Sequence, residues 1–131
     1  MKAFFKYQWP TVLWAILIFT LCSINMGSVG ESHLFFPGFD KLVHCGFFFV
    51  IIVFSINGFL RQQNKGQLSY TAAGVITLGA ILFGGLIELL QLTIFTWRSA
   101  DWNDVFADSV GACMGIFSIL ITIGAVKHEK K

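Results

Sequence analysis

The chain has 131 residues, of which 56% are hydrophobic and 12% are charged, with a formal net charge of +2. The charged fraction is about half that of a typical soluble domain, and the mean hydropathy is +0.75. Too few polar residues are present to cover a surface in water, which excludes an ordinary soluble domain and predicts an integral membrane protein. Because basic and acidic residues are segregated along the chain, the small net charge does not indicate a nucleic-acid partner.

Four apolar stretches follow one another along the chain, and each is close to the roughly 20 residues that a helix needs to cross a bilayer. They cover residues 10–26, 42–60, 71–95 and 105–126. We therefore predict a single all-α membrane domain over residues 1–131, folded as a four-transmembrane-helix bundle.

The first stretch is also compatible with a cleaved signal peptide. Lys2 and Lys6 precede its apolar core, and Ser28 and Gly30 offer small residues for a cleavage site. Its length and its flanking Trp9 favour a retained anchor, so we expect this helix to stay in the protein.

The distribution of basic residues predicts the orientation, because lysine and arginine are retained on the cytoplasmic side. Seven of the nine lie before the first helix, between the second and third, or after the fourth. This predicts a multi-pass protein of the bacterial cytoplasmic membrane with both termini in the cytoplasm. The two outer connections then carry Lys41 and Arg98, together with most of the acidic residues.

Polar residues from three predicted helices converge on the outer side, where the second and fourth helices begin and the third ends. A rise of 1.5 Å per residue places them at similar depths. A buried charge there costs several kcal/mol unless it is paired or wetted, which favours an outward-opening polar pocket. The predicted ligand-binding residues are Lys41, His44, Glu88, Gln91, Arg98, Asp101, Asp104 and Asp108.

Helical spacing indicates that the deeper acids face protein. Glu88 shares one face of the third helix with Gly84 and Gln91. On the fourth helix the acids share a face with Gly111 and Gly115, whose GxxxG spacing lets membrane helices approach closely. These two glycines also offer a contact for oligomerisation.

Some of these residues have a purely structural interpretation. Asp40 and Asp101 are placed to cap the second and fourth helices. Asp108 and Glu88 lie too deep to be caps, which favours a functional role for both.

The same residues could support chemistry. The catalytic candidates are Glu88 or Asp104 as general acid or base and His44 as a proton carrier, with Arg98 holding an anion.

A divalent metal is a lesser alternative, since one histidine with several carboxylates suits such an ion. Its weak candidate ligands are His44, Glu88, Asp104 and Asp108. No other cofactor is predicted.

Three segments resemble the blocks of the VanZ-like family: DKLVHCGFFF, IELLQLTIFTWR and DVFADSVGACMG. The resemblance covers about residues 40–115. The first helix resembles the family only in being an apolar helix, and not in its particular residues. It implies roles for Lys41, His44, Glu88, Gln91, Arg98, Asp104 and Gly111. One position departs from the pattern, because Asp108 stands where the family usually has asparagine.

The resemblance implies a setting in the cell envelope. The namesake of the family is associated with resistance to the lipoglycopeptide teicoplanin, so we expect membrane lipids and a lipid-linked cell-wall intermediate or a lipoglycopeptide as partners. The predicted function is to bind or modify such a ligand, with antibiotic resistance as a consequence. Two alternatives stay open: a non-enzymatic membrane scaffold and a proton or ion pathway.

Overall fold

The computed structural model describes residues 2–24, 36–63, 67–97 and 99–129. Across these ranges the chain forms four helices and no strand, which confirms the predicted all-α class. The helices are α1 (Lys2–Ser23), α2 (Phe39–Gln63), α3 (Tyr70–Thr93) and α4 (Trp102–Glu129). The ends of α2, α3 and α4 lie within three residues of their predicted positions.

Helix α1 begins at Lys2, well before its predicted start at Pro10. A proline in the first turn is a common helix start, but this proline lies inside the helix. Pro10 has no N–H to donate, so the helix lacks one backbone hydrogen bond at that turn. Helix α1 ends at Ser23, and the predicted end at residue 26 lies outside the described residues.

Local side chains account for the starts of the later helices. Ser69 caps α3, because its hydroxyl accepts a hydrogen bond from the N–H of Ala72 at 3.2 Å. Asp101 caps α4 in the same way, accepting from the N–H of Asn103 at 2.9 Å, as predicted. The expected cap at Asp40 is wrong: α2 begins one residue earlier, and Asp40 lies in its first turn.

Three of the helices, α2, α3 and α4, are long and apolar enough to cross a bilayer. Large apolar side chains such as Leu78, Leu82 and Leu86 on α3 are exposed, whereas several charged side chains are buried. This inverted distribution is typical of a protein surrounded by lipid. A fourth crossing by α1 and a cytoplasmic location of the termini remain predictions.

Helices α2 and α4 share the most extensive interface of the bundle, because two glycines of α4 allow close approach. A Cβ at Gly111 would collide with the backbone carbonyl of Cys45, and one at Gly115 would lie 2.9 Å from the carbonyl oxygen of Phe49. The predicted glycine stripe therefore packs within the chain. Oligomerisation through Gly111 and Gly115 stays a prediction.

Helix α1 packs on α2 through side chains that donate hydrogen bonds to main-chain carbonyls. The amide of Gln8 donates to Ser55 at 3.0 Å, and the indole of Trp14 donates to Phe47 at 3.0 Å. Gly58 leaves the space that the Gln8 side chain fills, since a Cβ there would lie 2.7 Å from Gln8 Cδ.

Candidate functional site

Ionisable side chains meet where α2 and α4 begin and α3 ends. We call this group the polar cluster; its members are Asp40, Lys41, His44, Glu88, Asp101, Asp104 and Asp108. Within the described ranges, the buried acidic residues and the buried histidine all belong to it: His44, Glu88, Asp104 and Asp108. The predicted convergence of three helices on one layer is confirmed in this geometry.

Lys41 is the cation at the rim of the polar cluster. Its Nζ lies 2.9 Å from Asp40 Oδ2, 2.8 Å from Asp101 Oδ2 and 3.1 Å from Asp104 Oδ1. One ammonium therefore donates to carboxylates from two helices and from the connection before α4. The Lys41 and Asp101 side chains are 35% and 36% exposed, so the rim is open.

Asp101 lies outside the membrane-crossing segments, at the rim. The hydrogen bond from Lys41 holds the pKa of its carboxyl below the ordinary value, and the N–H of Asn103 acts in the same direction. The carboxylate of Asp101 thus stays charged and caps α4 while it binds Lys41.

His44 bridges two acids of α4 beneath the rim. Its Nδ1 donates to Asp108 Oδ1 at 2.9 Å, and its Nε2 lies 3.7 Å from Asp104 Oδ2. Asp108 therefore fixes the orientation of the ring, while Asp104 lies next to the other nitrogen. A histidine held in this way can exchange a proton through Nε2.

Gly84 of α3 creates the space for the Asp108 carboxylate. A Cβ at this glycine would collide with Asp108 Oδ2 and lie 3.1 Å from Phe48. Gly84, Glu88 and Gln91 are all buried, which confirms that they share the inward face of α3.

Glu88 forms the floor of the polar cluster and is 1% exposed. Its Oε2 accepts a hydrogen bond from the backbone N–H of Asp101 at 2.8 Å, which ties α3 to the start of α4. Its Oε1 is buried and has no hydrogen-bond partner among the described residues. A buried carboxylate oxygen without a donor is costly, so this atom is the least satisfied polar group of the site.

Gln91 was predicted in the ligand-binding set, but it contacts α1 instead. Its amide donates to the carbonyl of Cys22 at 2.9 Å, and the indole of Trp97 donates to the carbonyl of Ser23 at 3.0 Å. The last carbonyls of a helix have no partner within the helix. The two side chains thus cap the end of α1, and a structural role explains Gln91.

Arg98, predicted to pair with a carboxylate or to hold an anion, lies outside the described residues. The cation that the structure places among the acids is Lys41.

The carboxylates that approach metal-binding distances differ from the predicted set. Among the described residues, oxygens of Asp40, Asp101 and Asp104 lie within 4.8 Å of one another. Lys41 Nζ contacts all three, so its ammonium occupies the position that a cation would take. Metal binding by His44, Glu88, Asp104 and Asp108 stays a prediction.

The fold and the site define a helical membrane protein with a buried ionisable cluster at one end. The VanZ/LLP1 family matches residues 1–123, and the chain belongs to this family. The match confirms the resemblance and extends it through the first helix. No curated protein and no solved structure matches the chain.

Proposed function

We propose that this chain is a multi-pass protein of the bacterial cytoplasmic membrane whose polar cluster faces outward and binds or modifies a cell-envelope ligand. The ligand is a lipid-linked cell-wall intermediate or a lipoglycopeptide, and protection against a lipoglycopeptide follows from its capture. The single observation that carries this proposal is the meeting of seven ionisable side chains at one end of three helices, with a half-exposed rim and a buried floor.

The depth and openness of the cluster support a ligand site. Lys41 and Asp101 lie at the rim, where a lipid headgroup would approach, and Glu88 lies below them. Burying this much charge is costly and adds little to packing, so it is better explained by a function than by folding. A chemical step would use His44, oriented by Asp108, as the proton carrier.

The orientation is tested by fusing a reporter to the C-terminus. A fluorescent protein that folds only in the cytoplasm should be active there, whereas alkaline phosphatase, which needs the outer side, should be inactive. The opposite pattern would place the polar cluster on the cytoplasmic side and remove the envelope ligand from the proposal.

The function is tested by teicoplanin susceptibility, with vancomycin as comparator. A sensitive host expresses wild type, Glu88→Gln, Asp108→Asn or Glu129→Gln at matched membrane levels. Glu129 is the last residue of α4, far along the helix from the cluster, so its substitution is the matched control. We expect selective protection that is lost in Glu88→Gln and kept in the other variants. No protection by the wild type would contradict the proposal.

A membrane scaffold is the second candidate, and the internal pairing of the cluster favours it. Lys41 and His44 are both bound to acids of the same chain, and buried polar groups can serve helix register alone. In that case substitutions in the cluster should lower the melting temperature, while wild type and variants should respond identically to every added envelope ligand.

A further inference from the structure

Glu88 Oε1 lacks a hydrogen donor at the floor of the polar cluster. The side chain is 1% exposed, and its other oxygen is already bound to the N–H of Asp101. Among the described residues no donor reaches Oε1. A ligand group that brings an N–H or O–H would satisfy this atom, whereas a phosphate or carboxylate would not.

The charge balance of the cluster favours a cationic ligand group. Five carboxylates face one lysine and one histidine, so negative charge is in excess even when the histidine is charged. If Arg98, from the connection between α3 and α4, is added to the count, the five acidic residues still outnumber the three basic ones. A cation entering this site is attracted, and an anion is repelled.

Lys41 shows that the rim accommodates a primary ammonium. Its Nζ has three carboxylate acceptors, from Asp40, Asp101 and Asp104, at 2.8 to 3.1 Å. Three N–H donors on one nitrogen match three acceptors, which a quaternary ammonium cannot do. The three acceptors of the rim are thus filled by the ammonium of Lys41, and among the described residues Glu88 Oε1 is the buried acceptor left for a ligand.

Building on the proposed envelope site, we infer that its ligand carries a primary ammonium group. The ammonium enters through the rim and donates a hydrogen bond to Glu88 Oε1. A membrane lipid with an amino headgroup and a lipid-tailed peptide with a free amine both have this chemistry.

The test uses the purified full-length protein in detergent, with lipid binding measured by native mass spectrometry. Phosphatidylethanolamine and phosphatidylcholine with identical chains are compared, because the second keeps the positive charge but has no N–H donors. We expect at least tenfold tighter binding of phosphatidylethanolamine by wild type. In Glu88→Gln the amide can place a donor where Oε1 was, so the preference should disappear, while Glu129→Gln should keep it.

Further comparisons identify which kind of ligand supplies the ammonium and test a metal ion as the alternative. A lipoglycopeptide with a free amine is compared with its N-acetylated form, and preference for the free amine would support the same chemistry from the second source. Equal binding of the two phospholipids by wild type overturns the inference, and this comparison does not depend on how any variant folds. A shift of the melting temperature by magnesium ions alone, lost in Glu88→Gln, would also overturn it in favour of a metal.

The inference and the proposed function fail in different ways. If the protein protects selectively against teicoplanin but binds the two phospholipids equally, the proposed envelope function stands and the inferred ammonium ligand is wrong. If it prefers the ammonium lipid strongly but gives no protection, the inferred ligand class stands and the proposed role in resistance is wrong.

Discussion

The interface between α2 and α4 changes character within a few turns. Near the helix starts, Lys41 and His44 of α2 bind acids of α4 and of the connection before it, and both side chains have more than one partner. Farther along, Gly111 and Gly115 bring the two backbones into direct contact. Long side chains can rotate and re-pair when one partner is lost, but two backbones in contact have no such freedom. Stability should therefore depend more on the glycines, and ligand response more on the charged residues.

Substituting Gly111 should produce the largest effect. In Gly111→Ala the new Cβ collides with the carbonyl of Cys45, so we expect the free energy of unfolding to fall by about 3 kcal/mol. Gly124→Ala is the control on the same helix, because a Cβ there has no atom within 4 Å; it should be neutral or stabilising by about 0.5 kcal/mol. Reversible unfolding in detergent measures both, and equal effects would refute the close contact.

Substituting Asp108 separates the hydrogen bond from the charge. Asp108→Ala leaves the Nδ1 of buried His44 without its partner, and we expect a loss of about 1–3 kcal/mol in unfolding free energy. Asp108→Asn retains a side-chain oxygen that accepts from Nδ1, so its effect should be well below that of alanine. Thermal unfolding of the two variants decides the point, and an asparagine variant as unstable as the alanine variant would show that the charge is required.

The smallest effect concerns pH. Because the pKa of Asp101 is lowered in the folded protein, its contribution to stability is present at neutral pH and is lost as pH falls below about 4. In Asp101→Asn the cap can persist while this titration is removed. Melting curves between pH 7 and pH 3 should therefore decline less steeply in the variant. Parallel curves would assign the acid sensitivity to other carboxylates.

Much of the fold could be predicted from the sequence, because apolar length alone determines where a membrane helix can lie. The starts of α3 and α4 also follow local chemistry, as the caps at Ser69 and Asp101 illustrate. The start of α1 could not be predicted in this way. Pro10 is a good first-turn residue, but it can also lie inside a helix at the cost of one hydrogen bond.

For the site, helical spacing predicted which residues would face inward but not which would pair. The contacts of Lys41 and His44 depend on how α2 is rotated against α4, and the close approach at Gly111 helps to set that rotation. Gln91 shared a face with Glu88 and was predicted in the same site, yet it lies beside the end of α1. The partner of Glu88 is a main-chain N–H, which no residue pattern reveals.

The attachment of α1 has a consequence for how this sequence can change over time. Gln8 and Trp14 donate to carbonyls of α2, and the end of α1 offers its own carbonyls to Gln91 of α3 and to Trp97 beyond that helix. Carbonyls are present whatever the side chain, so mutations at Ser55 or Phe47 leave these acceptors in place. Selection on these hydrogen bonds then acts on the donors and on Gly58, which makes room for one of them. The accepting residues are constrained only through the packing of their own side chains, as where the Phe47 ring contacts Trp14.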